Sequence, residues 1–361
     1  MRVLHVSDSF LPRLGGIELH VRDLAERQRA SGHEVSIATR TPGVDREDLP
    51  GVLRVERRGT SWLAEQRPDV VHAHVSIVSP FALTAARRAA RAGIPTVVTV
   101  HSLWTHVGPL PELARDLWGM QRWPVAWSAV SEPAAQLVRD LLGVPVGVVP
   151  NAVDLSDWSP PTRLPYAQPP HVLSVMRLTT VKRAVPLALL LARAAQEVDL
   201  TATIVGNGPQ RRAVEHQLRR HRLTDRVRLT GTLDRSSIRR ELAGASVFLA
   251  PAHRESFGIA ALEARASGVP IIASARSGVA TFVEHGRDGL LGADDHELAD
   301  HVITMLQDRD LRERIAWHNR LVRPRFGWDE ALARNEELYA AASARLGAPA
   351  RAEGDHGALV G

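Results

Sequence analysis

The sequence predicts an α/β protein made of two doubly wound domains, and three observations carry that prediction. Short apolar, β-branched runs alternate with longer helical patterns from one end of the 361 residues to the other. Runs that are apolar throughout, rather than at every second residue, belong to parallel strands covered on both faces. The alternation breaks between 150 and 170, where "PNAVDLSDWSPPTRLPYAQPP" is dense in proline and lacks periodicity, and then restarts. A chain of this length divides comfortably into two cores.

Taken in order, the first half offers strands at 2–8, 34–40, 53–58, 69–75, 95–101, 126–131 and 146–151, with helices such as 19–30, 80–92 and 133–142 between them. Beyond the proline-rich link, strands follow near 171–178, 200–206, 227–231, 245–251 and 270–274. The segment 329–345 reads as a closing helix, with Asp329 and Glu330 in the first turn, where the helix dipole favours acids. The divisions expected are a domain over 1–160, a second over 161–324, a closing helix within 325–346 and a disordered Gly/Ala-rich tail over 347–361.

Composition narrows the classes. Hydrophobic residues at 44% and charged ones at 24% fit a globular, soluble chain. The absence of cysteine removes disulfides and thiolate metal sites. Asp8 interrupts the apolar start, so no signal peptide is expected, and Val185–Ala192 is far short of a membrane span. Residues 1–160 hold 17 Arg against 17 Asp and Glu, so the net +5 resides in the second half. That modest excess suits a small anionic ligand, and no nucleic-acid track is expected. Of 45 basic residues only Lys182 is lysine, an exception that asks for a reason.

Ligands of open parallel sheets bind beyond the carboxyl ends of the strands. There the unusual residues gather: Gly15 and Gly16 before a helix, His101, Ser131–Glu132, Arg177 with Lys182, Gly206-Asn207-Gly208-Pro209, Gly231 and Glu255. Paired glycines ahead of a helix let backbone N–H groups approach an anion. Neither glycine segment carries the GxGxxG fingerprint, which argues against a nicotinamide enzyme. Arg177 offers a fork for phosphate oxygens and Lys182 a compact charge, two targets that one diphosphate supplies. In "RESFGIAALEARASG", Glu255 precedes a helix begun near Gly258 and Glu263 lies in its second turn. Carboxylates are good acceptors for hydroxyl pairs, so a ligand with hydroxyls on both sides of a diphosphate, a nucleotide-sugar, satisfies the set.

These pieces resemble the retaining glycosyltransferases of family 4, of GT-B fold, over nearly the whole chain. The matching stretches are "PRLGGIELHVRDLAERQRASGHEVSIAT", "DVVHAHV", "TVVTVHS", "VPNAVD", "VMRLTTVKR", "IVGNGP", "LTGTL", "RESFGIAALEARASGVPIIAS", "HGRDGLL" and "FGWDEAL". The resemblance implies two Rossmann-like domains facing each other across a cleft, with the closing helix returning to the N-terminal domain. It implies that Arg177 and Lys182, aided by Gly15 and Gly16, hold the donor diphosphate, and that Glu263 takes the ribose. Glu255, Ser256, Phe257, Gly258 and Ile259 would hold the transferred sugar, with His101 beside the reaction centre. Gly206, Asn207, Gly231 and Leu233 would border the base.

The implied chemistry is transfer of a hexose-type sugar from a UDP-sugar or GDP-sugar to a hydroxyl acceptor, with retention. Same-face attack assisted by the departing phosphate requires no acid and nucleophile pair, unlike glycosidases. No cofactor and no metal are expected. The chain departs from the family pattern at Ser277, Thr281, Ala152 and Asn207, of which Ser277 and Thr281 touch the donor-hydroxyl contacts.

The acceptor is the least specified. Candidates are Trp104, His106, Arg122, Glu132 and Asn151, although Trp104, Trp118, Trp123 and Trp127 also read as packing. Arg87, Arg88 and Arg91 on one helix could meet anionic lipid, while a solvated basic face is the plainer expectation. The expected setting is cytoplasmic, with peripheral contact at an inner membrane face left open. A sugar-nucleotide epimerase of similar architecture and a non-catalytic nucleotide-sugar-binding module are the competing readings.

Overall fold

The computed structural model describes residues 1–43, 49–56, 61–104, 110–158 and 169–347. Its first sheet draws on β1 (Arg2–Ser7), α1 (Gly16–Ala30), β2 (Glu34–Thr39), β3 (Val52–Arg54), α2 (Ser61–Glu65), β4 (Val70–Val75), α3 (Pro80–Arg91), β5 (Thr96–Val100), α4 (Leu110–Trp118), β6 (Ala126–Ala129), α5 (Glu132–Leu142) and β7 (Val146–Val148). All pairings are parallel, in the order β3-β2-β1-β4-β5-β6-β7. β1, β4 and β5 are buried almost end to end, as continuous apolar strands between helical layers must be.

The second sheet follows with β8 (His171–Val175), α6 (Ala184–Glu197), β9 (Thr201–Val205), α7 (Arg211–Arg220), β10 (Val227–Gly231), α8 (Arg235–Gly244), β11 (Val247–Ala250), α9 (Ile259–Ala266), β12 (Ile271–Ser274), β13 (Gly289–Gly292), α10 (Asp295–Gln307) and α11 (Arg309–Leu321). Its order is β10-β9-β8-β11-β12-β13, again parallel. α6 shows why such helices form: Leu187, Ala188, Leu191 and Ala194 fall on one face and are all buried. Each sheet reverses strand order once, between β1 and β4 and between β8 and β11, which places a crevice at those points.

The last helix, α12 (Trp328–Gly347), crosses back to the first sheet. Tyr339 and Ala342 are buried there among Val3, Val35, Val70 and Val97, and Arg334 and Arg345 donate to the carbonyls of Val148 and Val125. The two segments that pass between the sheets are tied to each other, since Val153 N donates to Phe326 O at 3.0 Å. The two-sheet GT-B arrangement with its returning helix is therefore as the sequence predicts.

Three details differ from the sequence reading. The strand expected at 53–58 is the short edge strand β3, ending at Arg54, and 57–60 lie outside the described residues. The strands expected to run to 131, 151, 178 and 251 stop two to three residues or one residue earlier, because the chain turns into site loops there. β13 was not expected at all, since "GLLG" is too short for periodicity to register. It needs glycine: a Cβ on Gly289 would lie 2.0 Å from Ile271 O. The expected disordered tail falls, from residue 348, outside the described residues.

Candidate functional site

The carboxyl ends of β8, β9 and β10 are laced into one rim. Leu178 N donates to Asn207 O at 3.0 Å and Gly206 N to Gly231 O at 2.7 Å. Gly206 has φ +131, and a Cβ there would sit 1.9 Å from Met176 O, so only glycine permits the approach. Arg177, Asn207 and Gly231 thus come side by side, with Arg177 and Asn207 exposed. Leu233 is half-buried and packs into the core below.

Lys182 follows at the turn into α6, and its ammonium donates to Glu255 Oε2 at 2.5 Å. Both groups are partly exposed, with side-chain accessibilities of 32% and 19%. The loop after β11 carries Glu255 and ends at Gly258, whose φ of +93 starts α9. A Cβ at Gly258 would meet Val279 Cγ2 at 2.6 Å, so the helix start is closely seated on the Gly278–Thr281 turn. Glu255 O accepts from Gly278 N at 2.7 Å, and Ser277 is buried with its hydroxyl on Ser274 O, while Thr281 is exposed. Phe257 is an anchor, packed on Phe282 and Phe326, which leaves only its backbone free for a ligand.

The N-terminal sheet closes over this segment. Gly16, opening α1, lies so close that a Cβ on it would be 3.7 Å from Ile259 Cδ1. Gly15 is the extended residue before the helix, where a Cβ would strike the Glu18 carboxylate. His101, at the end of β5, accepts through its carbonyl from Ser256 Oγ at 2.6 Å. The structure therefore brings Gly16, His101, Ser256, Ile259, Glu255 and Lys182 into one crevice spanning both domains.

Glu263 is 7% exposed. Burial pushes its carboxyl up to about 8; the Arg235 guanidinium opposes that shift and Asp23 adds to it. Arg235 of α8 and Asp23 of α1 form an ion pair between the domains, which no local pattern in the chain announces. Both line a cavity of about 170 Å³ together with Arg27, Asp154, Asp157 and Trp328 among others. Arg27 pairs with Asp154 and lies over the Trp328 ring, tying α1 to the segment after β7 and to α12.

Beneath His101 lies a buried polar layer that sequence reasoning also missed, although "DVVHAHV" puts two histidines on one strand face. His74 Nδ1 meets His101 Nε2 at 3.0 Å, His5 Nδ1 meets His74 Nε2 at 2.9 Å, and His5 Nε2 meets Gln28 Oε1 at 2.7 Å. Gln28 Nε2 donates to Tyr339 OH at 2.8 Å, which contacts His72 Nδ1 at 3.1 Å; His72 Nε2 reaches Thr99 Oγ1 at 2.7 Å. His20, stacked on Trp328, flanks His101. Burial drives His5 and His20 down to about 4 and His72, His74 and His101 well below their ordinary value, so the layer is neutral near pH 7. Ring nitrogens of His5, His72 and His74 converge within 4.8 Å. Each of them is already in a hydrogen bond within the protein, so the cluster reads as structural rather than as a metal centre.

The acceptor candidates are scattered. Trp104 donates from its indole N–H to Ser76 O, and Arg122 is exposed. Glu132 is paired to Arg139 on its own helix at 2.5 Å. Asn151 is buried, and its Oδ1 has no partner among the described residues. His106 lies outside the described residues. Trp118, Trp123 and Trp127 form a stack, with Trp123 and Trp127 in the core. Among the described residues no helix is long and apolar enough to cross a membrane.

Comparison with known proteins bears on the family and the fold. The family described as Glycosyltransferase Family 4 matches residues 14–157, and Glycosyl transferases group 1 matches 160–321. The chain is 30% identical to D-inositol 3-phosphate glycosyltransferase of Xylanimonas cellulosilytica, over 93% of this chain and 94% of the relative. It is 29% identical to glycogen synthase of Mycobacterium tuberculosis, over 95% of each. In fold it is similar to Anabaena HepE in complex with UDP-glucose, with TM-score 0.78, 21% identity and coverage of 94% and 99%. Sucrose-phosphate synthase from Thermosynechococcus elongatus has TM-score 0.76, 21% identity and coverage of 94% and 98%.

Proposed function

Starting from the premise that this chain belongs to the family 4 glycosyltransferases of GT-B fold, we propose that it transfers a hexose-type sugar from a nucleoside diphosphate sugar to a hydroxyl acceptor with retention of configuration. The observation that carries the reading is the Lys182–Glu255 pair beside the start of α9, with Glu263 in the same helix and His101 closing from the other sheet. In this reading the ammonium of Lys182, the Arg177 fork and the first N–H groups of α9 and α1 receive the diphosphate as its charge grows on bond cleavage. Glu255 accepts from hydroxyls of the transferred sugar, and Glu263 from the ribose. Asn207 and Gly231 border the base.

Charge stabilisation of the leaving group supplies the main acceleration, and the departing phosphate oxygen takes the acceptor's proton. No metal is assigned a part. The solved relative HepE binds UDP-glucose, which supports a uridine donor here. Relatives named for glycogen and for inositol phosphate support a polyol hydroxyl as acceptor. Arg87, Arg88 and Arg91 of α3 would serve any peripheral contact with an anionic membrane face.

The test is release of nucleoside diphosphate from UDP-, GDP- and ADP-sugars, with and without a mixed acceptor extract, for wild type, Glu255→Ala and Lys182→Ala. Release with one donor, raised by acceptor and lost in both variants, is the expected result. Isomerised sugar without release would make the protein an epimerase. Tight donor binding with no turnover in any extract would make it a binding module.

A further inference from the structure

The histidine layer beneath His101 has a direction. Its rings are buried and neutral, so each carries one N–H and one lone pair. Gln28 presents its carbonyl oxygen to His5 Nε2, which must then hold the proton. His5 Nδ1 is left as an acceptor, so His74 Nε2 carries the next proton and His74 Nδ1 the next lone pair. His101 Nε2, 3.0 Å away, must donate to it. The same rule continues on the other side: Gln28 Nε2 donates to Tyr339 OH, the phenol donates to His72 Nδ1, and His72 Nε2 donates to Thr99. Every one of these bonds could be made with opposite polarity if the Gln28 amide were turned over. The choice therefore resides in one side chain, on α1.

We propose that Gln28 is a positioning residue: acting through His5 and His74, it holds His101 in the Nε2–H tautomer, so that Nδ1 is the nitrogen left to accept a hydrogen bond from a hydroxyl of the donor sugar. The second half of that statement rests on the reading of His101 as a neighbour of the transferred sugar. The first half concerns only the hydrogen-bond order of this chain. Gln28 is fully buried and contacts no ligand in that reading, so its effect travels through the imidazoles. Tyr339 of α12 is the partner of the amide's other end, which makes the last helix part of the device.

Long-range ¹H–¹⁵N spectra of histidine-labelled protein, with His101 assigned by the signals lost in His101→Asn, read the tautomer directly. The expected wild-type result is a single Nε2–H form for His5, His74 and His101. Gln28→Leu removes the directing oxygen and is expected to give a mixture at His101; Tyr339→Phe, which takes away the partner of Gln28 Nε2 and of His72 Nδ1 but leaves the directing oxygen, gives a smaller admixture. In Gln28→Leu, kcat/KM for the donor should fall about tenfold, the worth of one misdirected hydrogen bond. An Nδ1–H form of His101 in the wild type overturns the proposal, as does a single tautomer unmoved in both variants. Wild-type protein with the Nε2–H form but no turnover of any sugar nucleotide would support the hydrogen-bond order and count against the transferase reading instead.

Discussion

Lys182 Nζ lies 2.5 Å from Glu255 Oε2, joining the loop after β8 to the loop after β11 across the point where the strand order of the second sheet reverses. The pair fixes two opposite charges side by side in the crevice. In the function proposed above, the first receives phosphate oxygens and the second sugar hydroxyls.

Lys182→Met should lower kcat by about a hundredfold or more, the loss seen when one donor to a developing oxyanion is removed. Because the pair is partly exposed, thermal stability should change little. Single-turnover kinetics beside a thermal melt separate the two; a large drop in melting temperature with intact turnover would remove Lys182 from the diphosphate.

Glu263 should impose a pH-dependent cost on the fold. Its carboxyl is pushed from an ordinary 4.5 up to about 8. Below about pH 4.5 folded and unfolded chains both hold the proton, and nothing is lost. Between there and about 8 the unfolded chain has released it while the folded chain keeps it, so stability falls as pH rises and then levels. The melting temperature of Glu263→Gln minus that of wild type should therefore grow from about pH 5 to about pH 8 and then flatten. A difference constant with pH would show that this carboxyl does not titrate as its burial requires.

The Asp23–Arg235 pair should couple the domains. Asp23→Asn and Arg235→Ala, singly and together, are expected to show a coupling of about 1–3 kcal/mol in stability, as for contacting charged groups. Arg235→Ala should also raise the pH at which Glu263 ionises, since it removes the cation that favours the carboxylate. Additive stability effects would mean that the pair does not latch the crevice.

Arg265 is a test of structure alone. It is 3% exposed, donates to Asp288 Oδ1 at 3.0 Å and to Asn319 O at 3.0 Å, and lies on the opposite side of α9 from the crevice chemistry. Arg265→Met leaves Asp288 buried and half-satisfied, at a cost of about 3–5 kcal/mol. Denaturant melts should show it, while kcat per folded molecule stays near wild type.

How much of this was legible beforehand depends on what kind of signal each residue left. Continuous apolar strands and the proline-rich break announce two parallel sheets, because burial on both faces leaves no polar alternation. Glu255, Gly258 and Glu263 announce themselves by spacing around a helix start, and Lys182 by being the only lysine. Arg235 and Asp23 are single charges in a chain with dozens, and only the closing of one domain on the other makes them neighbours. Gln28, His5 and Tyr339 come from three distant segments, so no local pattern could join them. β13 escaped because four residues flanked by glycine carry no period.

The return of α12 has a consequence for how the molecule is made. Tyr339 and Ala342 fill the first sheet's outer face, yet they are translated after the whole second domain. At roughly 5–20 residues per second, the ribosome needs on the order of ten to forty seconds to pass from the end of the first sheet to this helix. Through that interval the nascent N-terminal half has His72, Val97 and Gln28 without their cover, and the imidazole row without one of its anchors. The first domain to be synthesised is thus the last to be finished.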